Sequence, residues 1–95
     1  MSFNVQFVGP VKDLVEKVVV EYYLPTPITV QELIDFLISR YGTKFEQEIY
    51  TKVPPDNVFF YQILINGSNI YRFKGLQTEI NTGDKVLISI PLAGG

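Results

Sequence analysis

Few side chains in this 95-residue sequence can do chemistry. It has no cysteine and no histidine. That removes thiol nucleophiles, thiolate and imidazole metal ligands, disulfides and histidine general bases together. The carboxylates form no acid–base couple: Glu32 with Asp35, and Glu46 with Glu48, read as solvated helix residues. Gly42, Gly67, Gly75 and Gly83 match neither a Walker loop nor a dinucleotide fingerprint and read as turn formers. What remains is the end of the chain, Pro91-Leu92-Ala93-Gly94-Gly95. A free α-carboxylate there has a reference pKa near 3.5 and is ionised at neutral pH. Gly94 and Gly95 carry no Cβ and can pass through a narrow slot. Leu92 to Gly95 spans about 14 Å when extended. No catalytic residue, no metal ligands and no bound cofactor are expected in this chain.

The elements behind the tail must hold its root. Lys85 to Ile90 reads as a strand, rich in β-branched residues and alternating in polarity. It divides the chain into a body, residues 1–90, and a flexible tail, residues 91–95. Ser2 to Val8 alternates, with Phe3, Val5 and Phe7 on one face, and Gly9-Pro10 stops it. Lys17 to Leu24 reads as a second strand, close enough to the first for a hairpin. Thr29-Val30-Gln31-Glu32 is a capping box. It predicts a helix from Val30 to Tyr41, with Leu33, Ile34, Leu37, Ile38 and Tyr41 on one face and a left-handed cap at Gly42. A short second helix is expected within Thr43 to Lys52, then a loop over Val53 to Asn57. Val58 to Ile65 reads as a third strand. Asn66-Gly67 signals a type I′ hairpin into a strand near Ile70 to Phe73. Thr78 to Asp84 reads as irregular. The fold class is therefore α+β: a β-grasp arrangement with a mixed sheet of four to five strands on one main helix.

Alternation also predicts a docking patch. With Ile63 and Ile65 facing the helix, Phe60 and Leu64 face the open side of the sheet; Leu87 does so on the last strand. Phe60, Leu64 and Leu87, together with Leu92, would form an exposed apolar patch beside the tail, of the kind that marks an interface. Composition narrows the partner. A net charge of -2 gives no electrostatic reason to expect nucleic acid or an anionic membrane. No signal peptide or membrane-length apolar run is visible, and the absence of cysteine fits a cytoplasmic protein.

Ile63-Leu64-Ile65-Asn66-Gly67-Ser68-Asn69-Ile70, Gly75-Leu76-Gln77-Thr78, Gly83-Asp84-Lys85-Val86 and the Gly-Gly end, taken in order, resemble the ubiquitin-like sulfur carriers of the MoaD/ThiS type. The likeness is greatest to the small subunit of molybdopterin synthase, and Thr29-Val30-Gln31-Glu32-Leu33 matches that family's helix start. One departure is Ser89-Ile90-Pro91-Leu92, where that family commonly has Phe-Pro-Pro-Val. The resemblance implies that an E1-like adenylating enzyme uses ATP to activate the Gly95 carboxylate, which becomes a thiocarboxylate. Pro91, Leu92, Ala93 and Gly94 would thread into a partner, the large subunit of molybdopterin synthase. A role as protein modifier or as sulfur donor for tRNA thiolation is the alternative.

Overall fold

A computed structural model describes residues 1–52, 58–59 and 61–90. Among the described residues, nine strands and two α-helices follow one another: β1 (Ser2–Val8), β2 (Val19–Tyr23), β3 (Ile28–Thr29), α1 (Val30–Tyr41), α2 (Thr43–Ile49), β4 (Tyr50–Lys52), β5 (Val58–Phe59), β6 (Gln62–Ile65), β7 (Ser68–Asn69), β8 (Glu79–Ile80) and β9 (Lys85–Ser89). The main sheet runs in the order β2-β1-β9-β6-β7. β1 and β9 are parallel, with α1 in the crossover between them, and every other pairing in that sheet is antiparallel. This is the expected β-grasp arrangement: a mixed sheet with its main helix on one face.

The capping box forms as its spacing requires. Glu32 N–H donates to Thr29 Oγ1 at 3.1 Å, and Thr29 N–H donates to Glu32 Oε1 at 2.9 Å. Val30, Leu33, Ile34 and Leu37 of α1 are fully buried against Phe3, Val5 and Phe7 of β1, Ile63 and Ile65 of β6, and Val86 and Ile88 of β9. Burying such side chains contributes about 1.5–3 kcal/mol each before the entropy of ordering is subtracted. Phe45 and Ile49 of α2, four residues apart on one helix face, extend the core. Glu16 ties the β1–β2 connection to the end of α1: Arg40 Nε and Nη2 both donate to Glu16 Oε1, at 3.0 and 2.6 Å. The pair is exposed and contributes little to stability.

Four expectations change. The run from Val58 to Ile65 is not one strand: β5 pairs with β4 in a two-stranded ribbon, and only Gln62–Ile65 joins the main sheet. The stretch after Asn69 is a 3-10 turn, Ile70–Arg72, because Asn69 Oδ1 caps the Tyr71 N–H and the Phe73 N–H closes on Ile70 O. Within Thr78 to Asp84, β8 pairs with β3 and sits against the start of α1, where Val30 N–H donates to Thr78 O. Gly42 has φ +89° but ψ −166°, so it is not a left-handed cap; it turns the chain directly into α2.

Candidate functional site

The end of β9 is where the tail is rooted. β9 is a central strand, bonded to β1 on one side and β6 on the other. The last register pairs on the two sides are Val8 with Ser89 and Gln62 with Ser89. Ser89 is buried, and its Oγ accepts from Gln62 Nε2 at 3.2 Å. The backbone feeding the tail is therefore clamped from both sides to within two residues of Pro91.

One more contact holds Ile90, the residue before Pro91. Ile90 lies against the bare α-carbon of Gly9, where a Cβ would stand 2.8 Å from Ile90 Cγ2 and 3.4 Å from the Tyr61 hydroxyl. Gly9 has φ +103° and ψ −169°, a region essentially reserved for glycine. Tyr61 fastens the same corner. Its hydroxyl accepts from the buried Val11 N–H at 2.9 Å and donates to Glu48 Oε2 at 2.9 Å. Sequence reasoning missed this cradle: Gly9-Pro10 read only as a strand breaker, and nothing local tied it to Ile90.

Burial pushes the Tyr61 phenol up to about 12; its hydrogen bond to Glu48 adds to the rise, and the Val11 N–H opposes it. Burial, then the bond to Tyr41, also raises Tyr22. An unfolded tyrosine ionises near 10. Folding therefore holds these phenols protonated where the unfolded chain would lose the proton. The resulting stability is complete below about pH 10 and is lost as pH rises towards 12. Thermal melts followed by circular dichroism should show a flat Tm up to about pH 9.5 and a fall above it. Tyr61→Phe leaves the Val11 N–H without that acceptor and should cost about 1–3 kcal/mol at neutral pH. It should also flatten the alkaline fall.

The open face of the sheet carries two of the three expected patch residues. Leu64 and Leu87 sit directly opposite each other across β6 and β9, and both are half-buried on the side away from α1. Gln6 of β1 lies beside Leu87, and Asn69 of β7 beside Leu64. The next row towards the start of β9 is polar: Asn4, Lys85 and Asn66, with Asn66 Nδ2 donating to Asp84 Oδ1 at 3.0 Å. An apolar pair rimmed by polar groups is how a docking site is built. Phe60 lies outside the described residues. So do Pro91, Leu92, Ala93, Gly94 and Gly95.

Among the described residues no group of three or more Cys, Asp or Glu side chains is placed to hold a metal. No helix among them is long and apolar enough to cross a membrane.

The ThiS family model matches residues 5–95. A candidate sulfur carrier protein of Archaeoglobus fulgidus is 35% identical over 68 residues, 72% of this chain and 75% of that protein. The fold is similar to that of SAMP1 from Haloferax volcanii, with a TM-score of 0.73, 18% identity and all of both chains covered. It is also similar to that of a candidate molybdopterin converting factor, subunit 1, from Pyrococcus furiosus. There the TM-score is 0.74 and the identity 22%, covering 96% of this chain and 98% of that one.

Proposed function

This chain belongs to the ThiS family of small sulfur carriers, and from that premise we propose that it carries sulfur on its Gly95 carboxyl group for molybdopterin synthesis. The observation behind this reading is a family match that runs through to the Gly94-Gly95 end, on a body whose central strand holds the tail's root. The chemistry follows from the carboxylate. A carboxylate is a poor electrophile, so an E1-like partner first joins a Gly95 oxygen to the α-phosphorus of ATP and releases pyrophosphate. Hydrosulfide then attacks the acyl carbon, AMP leaves, and the S–H proton is lost. The thiocarboxylate so formed is nucleophilic at neutral pH and enters the large synthase subunit. This chain contributes an arm and a docking face; the catalytic groups belong to its partners.

The test is mass spectrometry of the intact protein after incubation with ATP, an E1-like enzyme and a sulfur donor. The expected result is a gain equal to the difference between one sulfur and one oxygen atom, located at Gly95. No such gain, with the activating enzyme shown to be competent, removes the reading. A second reading, as a protein modifier, draws support from the fold shared with SAMP1. Conjugates joined through Gly95 to lysine would identify it.

The docking face makes its own prediction. Leu64→Asp places a charge in the centre of the apolar pair and should weaken binding to the activating partner by about thirtyfold or more. Leu64 is only half-buried, so Tm should change by only a few degrees. Unimpaired binding measured by calorimetry would move the docking surface elsewhere.

A further inference from the structure

The sheet has two edges, and they differ. β7 is two residues long and ends at once in a 3-10 turn. β2 is five residues long, Val-Val-Glu-Tyr-Tyr, with no proline in it. Proteins commonly protect such an edge with proline, a bulge or a covering segment, because an open edge is a template for another strand. Here Val18, Val19 and Tyr23 are 51%, 47% and 73% exposed.

The backbone bonds show which groups of β2 are free. Phe7 N–H donates to Val18 O at 2.8 Å, and Met1 and Leu24 exchange bonds of 2.6 and 2.9 Å. Antiparallel ladders alternate, so Val18, Val20, Tyr22 and Leu24 bond inward to β1. Val19, Glu21 and Tyr23 therefore turn their N–H and C=O groups outward to the open edge.

The sequence of this edge is complementary to itself. Lys17-Val18-Val19-Val20-Glu21 carries opposite charges at its ends and valine between them. Lys17 and Val18 precede β2, with Val18 at a bend; with the strand extended through them, an antiparallel pair of two copies centred on Val19 sets Lys17 of each opposite Glu21 of the other. Val18 lies opposite Val20, and the outward groups of Val19 and Glu21 meet partners. Lys17 and Glu21 are both exposed, and neither is in a salt bridge among the described residues. Shifting the pairing by two residues, to centre on Glu21, would set the two glutamates face to face.

We infer that two copies of this chain associate edge to edge through β2, with Val19 on the two-fold axis, to give one continuous ten-stranded sheet. The axis is perpendicular to the sheet, so both helices lie on one side and both Leu64–Leu87 pairs on the other. β9 is two strands in from the junction, so neither tail root is covered.

Sedimentation velocity on the full chain, from about 10 µM to about 1 mM, should show a monomer passing into a dimer. Lys17→Glu alone and Glu21→Lys alone each turn two opposite-charge pairs into like-charge pairs. Each should raise the dissociation constant at least about tenfold. The double variant Lys17→Glu/Glu21→Lys restores the pairs with reversed polarity and should return dimerisation to within about threefold of wild type. Val19→Pro removes an N–H that faces the open edge rather than β1, and should abolish the dimer. Circular dichroism reports the folding of each variant, and the charge swap keeps the test decisive if the proline variant does not fold. A monomer at every concentration overturns the inference. So does a dimer indifferent to the charge variants, or an edge that binds only an extended segment of another protein.

Discussion

Removing Gly94 and Gly95 should abolish thiocarboxylate formation while shifting Tm by no more than about 4 °C. The two halves of this expectation rest on different physics. The buried apolar side chains of the described residues run from Phe3 to Ile88, and Ile90 packs at the margin of that core. Two terminal glycines add no side chain to it. The truncated chain still ends in a carboxylate, now on Ala93, so chemical competence of the group is retained. What changes is reach, shortened by about 7 Å, and the replacement of a bare terminal carbon by one bearing a methyl group. Activation requires the reacting carbon to sit within about 3–3.5 Å of its attacking group, and misplacement by about 1 Å can cost a hundredfold in rate. A shortfall of two residues is far outside that tolerance. The measurements are intact mass after activation and a thermal melt on the same sample. Normal sulfur loading of the truncated chain would overturn the arm mechanism. A collapse of Tm would show that the end of the chain belongs to the fold.

What could be read from the sequence was what local forces decide. The capping box at Thr29 and Glu32 is a four-residue signal, and α1 begins where it predicts. Asn66 and Gly67 both have positive φ, 51° and 86°, as a type I′ turn needs. Strict alternation placed Leu64 and Leu87 on the open face, because a period of two leaves no other choice once Ile63, Ile65, Val86 and Ile88 turn inward. Failures came where distant contacts outweigh local preference. The apolar run from Val58 to Ile65 has no internal punctuation, so its division between two sheets was invisible. β3 and β8 are two residues each and exist only because tertiary packing brings them together. The edge at β2 is an intermediate case: its residues are plain in the sequence, but its exposure depends on β1 being its only neighbour in the sheet among the described residues.

The tail's root should depend on Gly9 more than on any other glycine, and a matched pair of substitutions separates the reasons. Gly9 and Gly42 have nearly the same backbone, φ +103° and ψ −169° against φ +89° and ψ −166°. Their surroundings differ. A Cβ at Gly42 meets nothing within 4 Å, whereas at Gly9 it meets Ile90 Cγ2 at 2.8 Å. Gly42→Ala therefore measures backbone strain alone, expected at about 1–3 kcal/mol. Gly9→Ala adds a forced displacement of Ile90, worth about 1–3 kcal/mol more. At about 4–8 °C per kcal/mol, Gly9→Ala should melt at least about 4 °C below Gly42→Ala. Ile90→Ala in the Gly9→Ala background removes the clashing methyl and should recover part of the loss, a coupling absent when Ile90→Ala is combined with Gly42→Ala. Because Ile90 is the residue from which the tail departs, Gly9→Ala should also slow sulfur loading at Gly95 in protein that remains folded, whereas Gly42→Ala should not. Equal loading by the two folded variants would reduce Gly9 to a strand end, with no part in aiming the tail.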